Sequence, residues 1–151
     1  PIRNGAGTLV FIIESPINNE KIIIKINCIK DIVFSFNSKL LEISVSEVKH
    51  ANEGILLTGL PNNTDYSDSA LLKMVKDFQN WRKVRMIGSA AMASAYVASG
   101  NADTYKENKT YLWDVAAGAA IVNAAGGKAL ITNQNENYQV DVNFSNSHLG
   151  I

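Results

Sequence analysis

The chain has 151 residues, 46% of them apolar, which fits one domain of ordinary size and excludes a disordered chain. Lysine plus arginine and aspartate plus glutamate balance at 14 each, so no net field argues for nucleic acid or an acidic membrane surface as a partner. No run of about 18 apolar residues is present to span a membrane, and no secretory signal is visible after Pro1. Cys28 is the single cysteine, which excludes an intramolecular disulfide. It reads as a small buried apolar residue, and a reducing cytoplasm is the simplest setting.

In chain order, Thr8–Ile13 is a β-branched and apolar run that predicts a buried strand. Ser15–Asn19 is a turn by composition, and Lys21–Ile26 is a second strand forming an antiparallel hairpin with the first. Asp31–Phe36 is a third strand, closed by a turn at Asn37-Ser38, so Thr8–Phe36 reads as a β-meander. Glu42–Lys49 alternates enough for a short edge strand or a loop. Ile55–Thr58 lies between Gly54 and Gly59 as a buried strand, and Pro61–Asp65 is a loop. Asp65 or Ser67 caps a helix to about Trp81, with Leu71, Leu72, Val75 and Phe78 on its apolar face. Lys73 and Lys76 fall on its solvated side. His50 and His148 have no metal-like or catalytic context and read as surface residues.

The most informative stretch runs from Val84 to Gly127. Val84–Ile87 reads as a short buried strand stopped by a turn at Gly88. Ser89 is placed as the N-cap of a helix over Ala90–Ala98, which Gly100-Asn101 ends. Ser89 is not in a G-x-S-x-G setting, so it reads as a cap and not as a nucleophile. Ala102–Glu107 is short and extended, and Asp103 reads as a turn former. Trp113-Asp114 opens a second helix, which runs to about Ala125 and is ended by Gly126-Gly127. That helix carries almost no polar face, a pattern of burial on most sides. Asp114 in its first turn is open to two readings. It is a capping acid favoured by the helix dipole, or a carboxylate aimed into a cleft as ligand for a hard cation. Lys128–Thr132 is a last strand and Asn133–Tyr138 a polar turn. Asn143–Ile151 shows no periodic signal. Strands followed by alternating strand and helix predict a layered α/β (α+β) architecture.

The segments VRMIGSAA, AYVASGNADTYKE and WDVAAGAAIVNAAGG resemble the C-terminal half of the inositol monophosphatase family, most strongly over Val84–Ile131. The resemblance implies a partial inositol monophosphatase/fructose-1,6-bisphosphatase-like sugar phosphatase fold of stacked helix and sheet layers, with residues 1–151 as a single partial domain. It also implies Mg2+ as cofactor, Asp114 as a metal ligand, and Gly88, Ser89, Ala90 and Glu107 as contacts to a small phosphorylated polyol. No catalytic residue beyond these is assigned. The family's upstream Glu-Glu pair and D-P-[IL]-D-G-T segment have no counterpart in this sequence. The chain therefore reads as a fragment of a longer enzyme, with little activity of its own. The rival reading is an inactive relative serving as a binding or dimerisation module. Asn123 stands where an acidic residue is common, on the outer side of the helix and without expected functional effect. Inositol monophosphate is the favoured substrate, ahead of 3'-phosphoadenosine 5'-phosphate, fructose-1,6-bisphosphate and histidinol phosphate. The longer protein is expected to be a homodimer.

Overall fold

A computed structural model describes the backbone of residues 2–4, 8–14, 21–27, 32–36 and 39–42, and residues 43–61 and 64–149 with their side chains. The first sheet is an antiparallel meander in chain order: β1 (Ile2–Asn4), β2 (Thr8–Glu14), β3 (Lys21–Asn27), β4 (Ile32–Phe36) and β5 (Lys39–Glu42). Phe11 stands opposite Ile24, and Ile24 opposite Phe34, so the meander expected for Thr8–Phe36 is the one found. Strands β1 and β5 were not foreseen. Strand β5 precedes the Glu42–Lys49 stretch, and residues 43–50 carry no regular structure. The turns expected at Ser15–Asn19 and Asn37-Ser38, and Cys28, lie outside the described residues.

The second sheet contains β6 (Ile55–Thr58), β7 (Lys83–Met86), β8 (Thr104–Tyr111), β9 (Lys128–Thr132) and β10 (Gln139–Ser145), in the order β7-β6-β8-β10-β9. Strand β6 is parallel to both β7 and β8. Parallel neighbours need long crossovers. These are α1 (Asp68–Phe78), between β6 and β7, and α2 (Ala90–Ala98), between β7 and β8. Helix α3 (Leu112–Ala124) follows β8, and β10 pairs antiparallel with β8 and β9.

Several expectations are corrected. The strand expected at Val84–Ile87 is β7 (Lys83–Met86), an edge strand and not a buried one, because among the described residues it has a neighbour on one side only. Met86 is 50% exposed and Ile87 is also exposed. Helix α1 is capped by Ser67, whose hydroxyl accepts from the Ala70 N–H, and it ends at Phe78, three residues short of Trp81. Its apolar face meets little: Leu72 is 56% exposed. Helix α3 buries Val115, Gly118 and Val122, while Ala116, Ala117 and Ala120 on its other side are exposed. Its uniform apolarity therefore does not reflect burial on most sides within the described residues. Strand β10 went unforeseen although Val140, Val142 and Phe144 alternate with polar residues and face the core. Of the stretch Ala102–Glu107 expected to be extended, Thr104–Glu107 is the first part of a strand that continues to Tyr111.

The core lies between α2, α3 and the second sheet, around Val97, Tyr105, Val115, Val122 and Phe144. Small residues set the distance between the two helices. A methyl group on Gly118 would run into Ser94, whose own hydroxyl turns back to the Ala90 carbonyl at 2.8 Å. Asp103 is 4% exposed and is not a solvent turn residue. Its carboxylate accepts the Ile55 N–H at 2.6 Å and the Ser46 hydroxyl, and its carbonyl accepts the Asn146 N–H at 3.0 Å. Asn146, fully buried, donates to Ser46 Oγ at 2.9 Å and to the Val48 carbonyl at 2.8 Å.

Two outcomes follow from this packing. Asp103→Ala strands the Ile55 N–H and the Ser46 hydroxyl and should lower stability by about 2–3 kcal/mol in denaturant unfolding; a loss within error of zero would dismiss the clamp. The exposed apolar surface of α1, β7 and α3 should make the 151-residue chain self-associate as its concentration rises. Sedimentation showing a single monomeric species throughout would contradict that.

Candidate functional site

Strand β8 carries the side chains from which the site is built. Its alternation turns Tyr105 into the core, 1% exposed and edge-on to Phe144 at 5.8 Å. A buried phenol needs a partner for its O–H. It finds one two residues on, donating to Glu107 Oε2 at 2.9 Å. Glu107 is half-buried at the rim of the sheet. Gly59, just beyond the end of the neighbouring β6, lies directly against it. A Cβ at position 59 would come within 2.6 Å of Glu107 Cδ and 2.9 Å of Oε1.

Beyond Glu107 the strand changes direction. Lys109 has φ 56°, a left-handed conformation unusual for a non-glycine residue, and it sits where the pairing with β10 shifts register between Val140 and Val142. The Lys109 N–H donates to Asp141 Oδ1 at 2.9 Å, which holds the irregularity. The chain then enters α3, and Asp114 arrives in the first turn of that helix. Tyr111, the N-cap, gives no side-chain cap, and Asp114 is exposed.

The two carboxylates are coupled. Burial pushes the Glu107 carboxyl above the usual glutamate range, the hydrogen bond from Tyr105 pulls it back, and the charge of Asp114 pushes it up further. Burial raises the Tyr105 hydroxyl strongly, and the Glu107 charge adds to this, so Tyr105 stays protonated as a donor. Both carboxylates offer hard oxygen donors. Mg2+ in general keeps several waters and takes one or two carboxylates with the phosphates of its substrate, which this donor set fits. Among the described residues no group of three or more His, Cys, Asp or Glu side chains is placed to hold a metal.

Of the other residues singled out in the sequence, Gly88 has φ 72° and forms the turn before α2, and Ser89 caps that helix by accepting the Met92 N–H at 3.3 Å. Both are exposed, and Ala90 is half-buried. Glu107 thus feels the charge of Asp114. The structure gives Gly88, Ser89 and Ala90 no hydrogen bond to either among the described residues. His50 and His148 are exposed, as expected. Sequence reasoning missed Gly59 and Tyr105. The Tyr-x-Glu spacing on a strand was the available signal for Tyr105, since residues two apart share a face. A cavity of about 780 Å³ opens on the other side of Glu107, between α1 and β8, with Gly59, Pro61, Lys73 and Lys106 in its walls.

The profile of the inositol monophosphatase family matches residues 13–148. The chain belongs to the inositol monophosphatase family. It is 29% identical over 127 residues to an inositol-1-monophosphatase of Caulobacter vibrioides, covering 83% of this chain and 48% of that protein. It is 36% identical over 85 residues to a fructose-1,6-bisphosphatase/inositol-1-monophosphatase of Thermotoga maritima, covering 56% of this chain and 31% of that protein. The structure of Mycobacterium tuberculosis SuhB superposes with a TM-score of 0.70 at 20% identity, covering 93% of this chain and 60% of that one, and shows the same fold. The chain thus spans about half or less of the length of the curated relatives it matches.

The raised Glu107 carboxyl has a signed consequence. The folded protein holds that proton more tightly than the unfolded chain does, so stability is fullest below the usual glutamate value and falls as pH rises through the raised one. Glu107→Gln carries no charge to desolvate and still accepts from Tyr105. The variant should therefore gain thermal stability at neutral pH and lose this part of the pH dependence. Parallel melting curves of both proteins across pH 4–8 check the difference; equal slopes would refute it.

Proposed function

We propose that the protein carrying this chain is a Mg2+-dependent phosphatase of small phosphate monoesters, with inositol monophosphate as its preferred substrate. What supports this is Glu107, half-buried at the rim of β8 with Oε2 taking the Tyr105 hydroxyl at 2.9 Å, under the charge of the exposed Asp114 in the first turn of α3. Bound there, Mg2+ would neutralise charge developing on the phosphate and activate a water. Asp114 is the residue proposed to hold it, at a helix N-terminus that also favours the substrate's negative charge. Glu107, with one oxygen engaged by Tyr105, accepts hydrogen bonds from substrate hydroxyls. Gly88, Ser89 and Ala90 line the polyol pocket from the start of α2.

Fructose-1,6-bisphosphate is the first alternative substrate, supported by the name of the Thermotoga relative; 3'-phosphoadenosine 5'-phosphate and histidinol phosphate come after it. The working protein is proposed to be a cytoplasmic homodimer with no nucleic-acid or membrane partner; among the described residues no helix is long and apolar enough to cross a membrane. A catalytically silent binding or dimerisation module is the competing reading. The small number of carboxylates gathered at the site among the described residues favours it.

The two carboxylates should separate in kinetics. In the protein that carries this chain, Asp114→Asn should cut turnover at least about 100-fold and shift the Mg2+ titration to higher concentration. Its stability should change by less than about 2 kcal/mol, because the amide keeps the size of the acid. Glu107→Gln should raise KM for inositol 1-phosphate about tenfold with little change in the Mg2+ curve. A wild-type Mg2+ response in Asp114→Asn would return Asp114 to the part of a helix-terminal acid.

A further inference from the structure

Glu107 is held by two residues that no metal or phosphate needs to touch. The first is Tyr105, whose hydroxyl donates to Oε2 at 2.9 Å. Tyr105 is itself immobile: its ring is 1% exposed and packed edge-on against Phe144, which is fully buried. The second residue is Gly59. The carboxylate of Glu107 occupies the volume that a side chain at position 59 would fill: Oε2, the oxygen that also takes the Tyr105 hydroxyl, lies nearest to an ideal Cβ, with Cδ at 2.6 Å and Oε1 at 2.9 Å. The backbone at Gly59 shows no left-handed φ, so its lack of a side chain answers to the space that Glu107 takes and not to a backbone conformation. The two contacts leave the carboxylate little room to rotate away from the cleft.

We infer that Gly59 and Tyr105 are positioning residues for Glu107, and that through it they set the preference for polyol phosphates over phosphates without hydroxyls. The inference rests on the assignment of Glu107 to substrate hydroxyls made above. A glutamate free to swing would present its oxygens to a hydroxyl pair only part of the time, and the ordering cost would fall on substrate binding. Held by Tyr105 and Gly59, it presents them in one arrangement. A phosphate ester with no neighbouring hydroxyls draws nothing from that arrangement. The expected signature is therefore a change in discrimination and not a general loss of activity.

Tyr105→Phe removes the donor while keeping the ring, and Gly59→Ala displaces the carboxylate. In the protein that carries this chain, each should lower kcat/KM for inositol 1-phosphate relative to p-nitrophenyl phosphate about fivefold, mainly through KM. Neither effect should appear in a Glu107→Ala background, because both act through the side chain that this variant removes. A second readout needs no catalysis. In the 151-residue chain, Gly59→Ala should destabilise unfolding with Glu107 present and much less in Glu107→Ala, where the space is vacated. If Glu107→Gln leaves discrimination unchanged, the assignment of Glu107 to substrate hydroxyls fails, and this inference fails with it. If Glu107→Gln changes discrimination while Tyr105→Phe and Gly59→Ala do not, positioning alone is refuted. If the stability effect of Gly59→Ala is the same in both backgrounds, Gly59 does not act on Glu107 and the inference is overturned on structural grounds.

Discussion

Asp103 ties four segments of the second sheet together at one buried point. Its carboxylate takes the Ile55 N–H at the start of β6 and the Ser46 hydroxyl in the preceding loop, and its backbone takes Asn146 at the end of β10. A buried carboxylate is tolerated only when its oxygens are satisfied, and these are. The clamp sits immediately before β8. It therefore fixes where that strand begins, and with it which of the following side chains point inward. Tyr105 goes to the core, Glu107 to the rim, and the irregularity at Lys109 then turns the chain into α3. Moving the start of β8 by one residue would exchange the two faces and carry Tyr105 and Glu107 together away from the core and the rim they now occupy.

Helix packing supplies the second constraint. Gly118 of α3 lies so close to Ser94 of α2 that no side chain fits between them. This close approach carries Val115 and Val122 into the core and sets the orientation in which α3 presents its first turn. Asp114 thus belongs to a helix whose position is decided four residues further along, by a glycine. The small residues of WDVAAGAA have two separate physical duties. Gly118 allows contact inside the chain, while Ala116, Ala117 and Ala120 leave a smooth exposed surface on the opposite side.

Much of this was legible in the sequence where the signal is local. The β-branched runs of β2, β3 and β4, the Ser67 and Ser89 caps and the left-handed glycines at Gly88 and Gly100 all depend on near neighbours. Asp114 and Glu107 were singled out through the family resemblance, and their roles belong to the proposed function. What failed depends on distant partners. Asp103 looked like a turn residue because its hydrogen-bond partners Ser46 and Ile55 lie 57 and 48 positions away. Val84–Ile87 looked buried because its composition does not say that β7 ends the sheet order. Strand β10 was readable from its alternating Val140, Val142 and Phe144, and was obscured by the asparagines around it. Gly59 passed as a strand terminator, since nothing local says that Glu107 will claim its side-chain space.

The energetics of the carboxylate pair connect fold to chemistry. Glu107 is partly desolvated and feels the charge of Asp114, and both effects disfavour its ionised form. A single donor, Tyr105, opposes them. The folded chain therefore carries an incompletely compensated negative charge at this rim, and three things can compensate it: a proton on Glu107, a cation between the acids, or hydroxyl donors from a ligand. The proton competes with the other two. Within the proposed function, a cation held by Asp114 would offset the charge that Glu107 feels, while Glu107 accepts from the polyol. The fold supplies the mismatch by placing one acid on a strand buried up to its rim and the other on an exposed first helical turn. Neither location is costly alone; their adjacency is what makes the site receptive to a positive or donating partner.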